Sequence, residues 1–117
     1  MCLRRPHMNL LLDDRTQSLV EYYLPDNSVL NNLAEFFSVF SDSTRIKILS
    51  ALSITEMCVT DLSEILKINQ TTVSHQLKIL RSAGVVGFRR EGKIIFYYLS
   101  TGAVEDVMLS GVRYLGY

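Results

Sequence analysis

Residues 69–86 read NQTTVSHQLKILRSAGVV, and the fold turns on how this stretch divides. Val73, Leu77 and Leu80 recur at steps of four and three, the spacing that places side chains on one face of a helix. The helix starts at Asn69 or Gln70, and Gly84 suits the left-handed backbone just past a helix end. If those three residues turn inward, a step of about 100° per residue turns Thr71, Ser74, His75, Lys78 and Ser82 outward. Thr72 and Ile79 lie at the margin of that outer face.

Upstream, Thr60 is placed to cap a short helix bearing Leu62, Ile65 and Leu66, and only Lys67, Ile68 and Asn69 separate it from the next helix. Two short helices joined this tightly have the geometry of a helix-turn-helix, whose second helix enters a DNA major groove. Asp42 is read as the N-cap of an earlier helix that buries Ile46, Leu49 and Leu52. Before it, Leu30, Leu33, Phe37 and Phe40 share a helical face, and Phe36 and Val39 widen that face enough for both a core and a partner. Leu19, Val20 and Tyr23 suggest a helix that must stop before Pro25. Residues 1–27 are thus expected to form an arm, and 28–117 a single domain for DNA binding and dimerisation. No internal repeat or low-complexity tract appears.

Past Gly84 the period changes. Val86 and Phe88 alternate, Glu91 and Gly92 suggest a turn, and Ile94 to Leu99 form an aromatic and β-branched run, which together read as a hairpin. A last helix follows Ser100 or Thr101, with Val104, Val107, Met108, Gly111, Val112 and Leu115 along one side. That stripe is too long for so small a chain to cover alone, so it predicts a homodimer, joined also through Leu30, Leu33 and Phe37. The expected fold class is mainly α with a β-hairpin wing (α+β), a homodimeric winged helix-turn-helix.

Twelve basic and twelve acidic residues cancel. Phosphate binding is dominated by charge, so this balance at first argues against a nucleic-acid partner. The distribution reverses that impression. From Asn69 to Ser100 the basic residues Lys78, Arg81, Arg89, Arg90 and Lys93 face only Glu91, and nine of the twelve acids precede Lys67. One end of the fold is basic. The candidate DNA-binding residues on the recognition helix are Gln70, Thr71, Thr72, Ser74, His75, Lys78 and Arg81. On the wing they are Arg89, Arg90 and Lys93, placed to meet backbone phosphates. A plain solvated helix face would look similar, but a basic turn directly after a helix-turn-helix favours the DNA reading.

The 117 residues, 48% of them hydrophobic, suffice for one domain whose core is completed by a shared interface. Apolar runs fall well short of the ~20 residues that span a bilayer, so no membrane partner is expected. The first eight residues lack the roughly 7 to 15 residue apolar stretch of a secretory signal. Two cysteines, Cys2 and Cys58, do not make a disulfide scaffold, and a reducing cytoplasmic setting is the natural expectation.

Three ordered motifs resemble the ArsR/SmtB family of repressors. Leu33 to Phe37 and Phe40-Ser41-Asp42-Ser43-Thr44-Arg45-Ile46-Lys47-Ile48-Leu49 are similar to that family's opening, typically a variant of LSDPTRLRIL. Asn69 to Val86 resembles its recognition helix, and Arg89 to Lys93 followed by Phe96-Tyr97-Tyr98-Leu99 resembles its wing. The likeness extends over about Leu30 to Leu115. It implies a homodimer with terminal helices at its interface. It also implies a partly palindromic double-stranded DNA operator, released when an inducer binds.

Departures from the family pattern bear on the inducer. Metal-sensing members often carry Cys-Val-Cys-Asp-Leu where this chain has Cys58-Val59-Thr60-Asp61-Leu62, so one thiolate is missing. Soft metals need two or more thiolates held together. Others bind zinc on the last helix, but Thr101 to Tyr117 holds Glu105 and Asp106 without a histidine. Cys2 or His7 could complete a site with Cys58, although Cys58 reads more simply as a small buried hydrophobe. His75 reads as a DNA contact, and Met57 and Met108 as core fillers. No cofactor is called for, and the residues leave open whether an inducer is a small molecule or a metal. Two other readings compete with this one. A winged helix used only for protein association would be expected to carry an apolar or acidic recognition face, unlike Thr71, Ser74, His75 and Lys78. An enzyme would need a nucleophile with a base, paired carboxylates or a phosphate-binding glycine loop, none of which the sequence offers.

Overall fold

The computed structural model describes residues 11–117. The helices and strands follow one another as α1 (Asp14–Tyr23), α2 (Asn27–Ser38), α3 (Ser43–Leu52), α4 (Val59–Leu66), α5 (Gln70–Ser82), β1 (Val86–Glu91), β2 (Ile94–Leu99) and α6 (Ala103–Leu115). The described residues fall into two compact units, divided between Asn32 and Leu33. The role considered for Cys2 and His7 lies outside the described residues.

In the first unit, the Asp13 carboxylate accepts a hydrogen bond from the Thr16 amide at 2.7 Å and starts α1, which ends at Leu24 just before Pro25. Asp26 accepts from the Val29 amide at 3.1 Å and opens α2 in the same way. None of the residues of α1 is buried.

The second unit holds the core. Ile48, Leu49, Leu62, Val73, Leu77, Leu80 and Val104 are fully buried, and Val39, Leu52, Met57, Val85 and Val86 join them. On α2 and the turn after it, Phe36, Val39 and Phe40 pack inward, whereas Leu30, Leu33 and Phe37 stay exposed. The broad apolar face expected for this helix is thus split, one edge being used by the core and the other left open.

The Asp42 carboxylate caps α3 by accepting from the Arg45 amide at 3.0 Å, as expected. The buried residue of its first turns is Ile48, not Ile46, which is 37% exposed. Ile48 lies with Leu49 and Leu52 within one sector of the helix, and Ile46 falls outside it. In α4 the N-cap is Cys58, without a side-chain cap bond, instead of Thr60. The cause is a pairing that the sequence did not announce. Met57 and Tyr97 exchange two backbone hydrogen bonds, of 3.2 and 2.9 Å, so the chain leaves the sheet at Met57 and the helix starts at Val59. Leu62 and Leu66 take the inner side of α4, four residues apart, and Ile65 is left exposed.

Between α4 and α5 the turn is only three residues long. Lys67 adopts the left-handed region at φ 56° and ψ 47°. The Ile68 amide then reaches back to the Ser63 carbonyl at 3.1 Å, and the Ser63 hydroxyl donates to the Ile68 carbonyl at 2.5 Å. The expected two-helix unit is present, with Val73, Leu77 and Leu80 inward.

After Gly84, at φ +79°, β1 and β2 pair antiparallel from Val86↔Leu99 to Glu91↔Ile94. Glu91 is therefore the last paired residue, and the turn is Gly92-Lys93 in place of Glu91-Gly92, with Gly92 at φ +63°. The Tyr98 ring lies where a Cβ on Gly87 would sit, which explains a glycine inside the strand. In α6, Val104 is fully buried in the core of its own chain and Met108 packs against that core. Val104 is thereby removed from the stripe expected to face a partner, while Gly111, Val112 and Leu115 remain exposed.

Lys67→Gly is expected to raise stability by about 0.5–1 kcal/mol, because glycine enters the left-handed region without the side-chain clash that lysine bears. Urea denaturation checks this, and a lower midpoint for the variant would contradict it.

Candidate nucleic-acid interface

Helix α5 is positioned from both ends and from beneath. The Asn69 side chain accepts from the Thr72 amide at 2.8 Å and sets the first turn. Val73, Leu77 and Leu80 hold the inner face in the core. Arg45 ties the neighbouring elements together, donating to the Val39 and Ser38 carbonyls at 3.3 Å each and to Gln76 Oε1 at 3.4 Å. This use of Arg45 was not foreseen, since nothing local in the sequence signals a partner 31 residues away.

The outer face then presents Gln70, Thr71, Ser74, His75 and Lys78 to solvent, with Thr72 half-buried. Among the described residues, the side chains of Ser74, His75 and Lys78 make no hydrogen bond or ion pair within the chain, so their donors and acceptors are available to a ligand. His75 and Lys78 line a shallow cleft of about 440 Å³ that Arg45, Ser38 and Ile79 also border. Arg81 is directed elsewhere. Its guanidinium lies 4.2 Å from the centre of the Phe88 ring and joins the end of α5 to the wing.

On the wing the three basic residues separate. Arg90 and Lys93 are exposed and unpaired among the described residues. Arg89 is held by two carboxylates, with Nε at 2.6 Å from Glu56 Oε1 and Nη1 at 2.7 Å from Glu91 Oε2. Glu91 first, then Glu56, holds its guanidinium more firmly protonated than usual. Glu56 was absent from the expected site, and its only trace in the sequence is an isolated acid just before Met57.

Cys58 is half-buried, not enclosed. It lines a second cleft, of about 530 Å³, with Thr60, Asp61, Lys93 and residues 94–97 of β2. No group of three or more histidine, cysteine or carboxylate side chains is gathered to hold a metal among the described residues.

Residues 42–87, from the cap of α3 to the start of the wing, match the family described as bacterial regulatory protein, arsR family. The chain is also 38% identical over 77 residues to the transcriptional repressor SdpR of Bacillus subtilis, covering 66% of this chain and 82% of that protein. The chain belongs to the arsR family. A second relative, the transcriptional repressor SmtB homolog of Synechocystis, is 44% identical over 75 residues, 64% of this chain. The chain spans 57% of the length of that relative. The fold is similar to the homodimeric winged helix-turn-helix DNA-binding domain Mb0332 of Mycobacterium bovis. The TM-score is 0.67 at 26% identity, over 89% of this chain and 91% of that one. The family is described as one of bacterial regulatory proteins, and the Synechocystis and Bacillus relatives are both named transcriptional repressors. No described helix is long and apolar enough to cross a membrane.

Asn69→Ala is expected to cost about 1 kcal/mol, since the first turn of α5 loses the acceptor for the Thr72 amide. Chemical denaturation measures the loss, and an unchanged midpoint would show that the cap is not needed.

Proposed function

We propose that this arsR-family chain is a homodimeric, sequence-specific DNA-binding transcriptional repressor of the cytoplasm. The observation that carries the reading is the exposed polar face of α5, on which Ser74, His75 and Lys78 have no partner among the described residues. A helix so capped and so packed can enter a major groove without rearranging, and each side chain on it can donate or accept at base edges. Gln70, Thr71 and Thr72 stand at its leading end, where base edges and phosphates are both within reach. Arg90 and Lys93 at the wing supply charge for the backbone. The names of the Synechocystis and Bacillus relatives, both called transcriptional repressors, support the same reading. Residues 28–117 would make up the DNA-binding and dimerisation domain.

Dimerisation is proposed through α2 and α6. Leu30, Leu33 and Phe37 on α2 are exposed, Phe37 by 54%, as are Val112 and Leu115 on α6. Val107 and Met108 are half-buried, and Gly111 beside them leaves room for close approach of a second helix. Apolar side chains arranged in this way are stabilised when a second copy removes them from water. Mb0332, of similar fold, is described as homodimeric. The inducer is not assigned.

Ser74→Ala and His75→Ala are each expected to weaken binding to the operator by about 1 to 3 kcal/mol per lost base contact, and to weaken random DNA less. Arg90→Ala and Lys93→Ala should lower both affinities together and reduce the salt slope by about one unit for each lost phosphate contact. Selection of bound sequences from random duplexes would supply the operator for these titrations. If neither α5 variant alters the preference for it, the recognition face has been misassigned.

Val112→Asp combined with Leu115→Asp should convert the dimer to a folded monomer at micromolar concentration, as read by light scattering with circular dichroism to confirm the fold. A parent protein that is already monomeric would overturn the dimer.

A further inference from the structure

Arg89 occupies the place on the wing where a phosphate contact would be expected, yet its geometry serves another purpose. The order across the small sheet is Met57, β2, β1, because Met57 pairs with Tyr97 and β2 pairs with β1. Arg89 lies on the outer strand β1, opposite Phe96. Glu56 immediately precedes Met57, on the far edge. The Arg89 side chain therefore lies flat across β2, with its guanidinium 4.7 Å from the centre of the Phe96 ring, and meets Glu56 on the other side at 2.6 Å. Glu91, two residues along the same face of β1, takes the other arm of the fork at 2.7 Å.

We infer that Arg89 is a wing-positioning residue, clamped to Glu56 and Glu91 over Phe96, and that only Arg90 and Lys93 carry the phosphate contacts of the wing. Three points lead there. First, the planar guanidinium is used on two edges by carboxylates and on one face by a ring, a combination that fixes orientation as well as distance. Second, one positive and two negative charges leave this cluster with net negative charge, so it does not attract a phosphate, and a phosphate at Nε or Nη1 would have to displace a carboxylate. Third, Arg90 is the next residue along an extended strand and so projects from the opposite face, free of this cluster. The clamp joins the hairpin to the segment that leads into α4, and so fixes the angle at which the wing stands beside the helix-turn-helix.

This inference rests on the proposed DNA binding for its function but not for its structure, and the two can be tested apart. Arg89→Gln, Glu56→Gln and the double variant would be compared with the parent by amide hydrogen exchange in the free protein and by titration with random-sequence duplex DNA at several salt concentrations. Each single variant should speed exchange at the Met57 and Tyr97 amides about three- to tenfold, and the double variant should be no faster than the singles, as for two partners of one interaction. The salt slope should stay at the parent value in Arg89→Gln while it falls by about one unit in Arg90→Gln. A slope lowered by about one unit in Arg89→Gln, or raised in Glu56→Gln as a freed arginine reaches a phosphate, would overturn the clamp, as would unchanged exchange in both single variants. A parent protein whose affinity for duplex DNA does not vary with salt would refute the DNA-binding reading and leave the exchange result to decide the clamp.

Discussion

The burial of Val73, Leu77 and Leu80 along one side of α5 is the constraint on which the site depends. Each of the three is almost wholly removed from water, and together they settle the rotation of the helix about its own axis. Rotation by one residue would expose large apolar side chains and bury Ser74 or His75 without partners, at a cost of several kcal/mol. The outward direction of the polar face is thus a consequence of the core. The three-residue turn adds a second restriction, because Lys67 in the left-handed region and the Ser63–Ile68 hydrogen bonds leave α5 little freedom relative to α4.

Charge is organised on this frame by pairing as much as by sequence. The chain has no net charge, and the basic segment from Asn69 to Ser100 gains its character by local excess. Within it the basic residues have different uses. Arg81 stacks on Phe88 and Arg89 is held by two carboxylates, whereas Lys78, Arg90 and Lys93 are unpaired among the described residues. Exposed ion pairs contribute little stability singly. Their effect here is to decide which cations face solvent unpaired and which hold one element against another.

Apolar surface is divided in a comparable way. The helical faces on α2 and α6 are each wider than one core requires. Phe36, Val39, Val104 and Met108 pack inward, leaving Leu30, Leu33, Phe37, Val112 and Leu115 exposed among the described residues. A protein of this size that leaves Leu33, Phe37, Val112 and Leu115 in water has an incomplete interior. A second copy is the simplest way to complete it.

Much of this was legible from residue order alone. The periods of apolar residues placed the helices, the short linker marked the helix-turn-helix, Asp42 announced a cap that is formed, Asn69 or Gln70 marked the start of α5, and the change to alternation after Gly84 marked the wing. These are local signals, in which neighbours along the chain determine the geometry. What only the tertiary structure decided involves partners distant in sequence. The Met57–Tyr97 pairing moved the cap of α4 from Thr60 to Cys58, the core chose Ile48 over Ile46, and Val104 was drawn into its own chain. Arg89 was paired with Glu56, 33 residues earlier. Periodicity states which side chains share a face; it does not state what stands opposite that face, and burial and ion pairing are settled by what stands opposite.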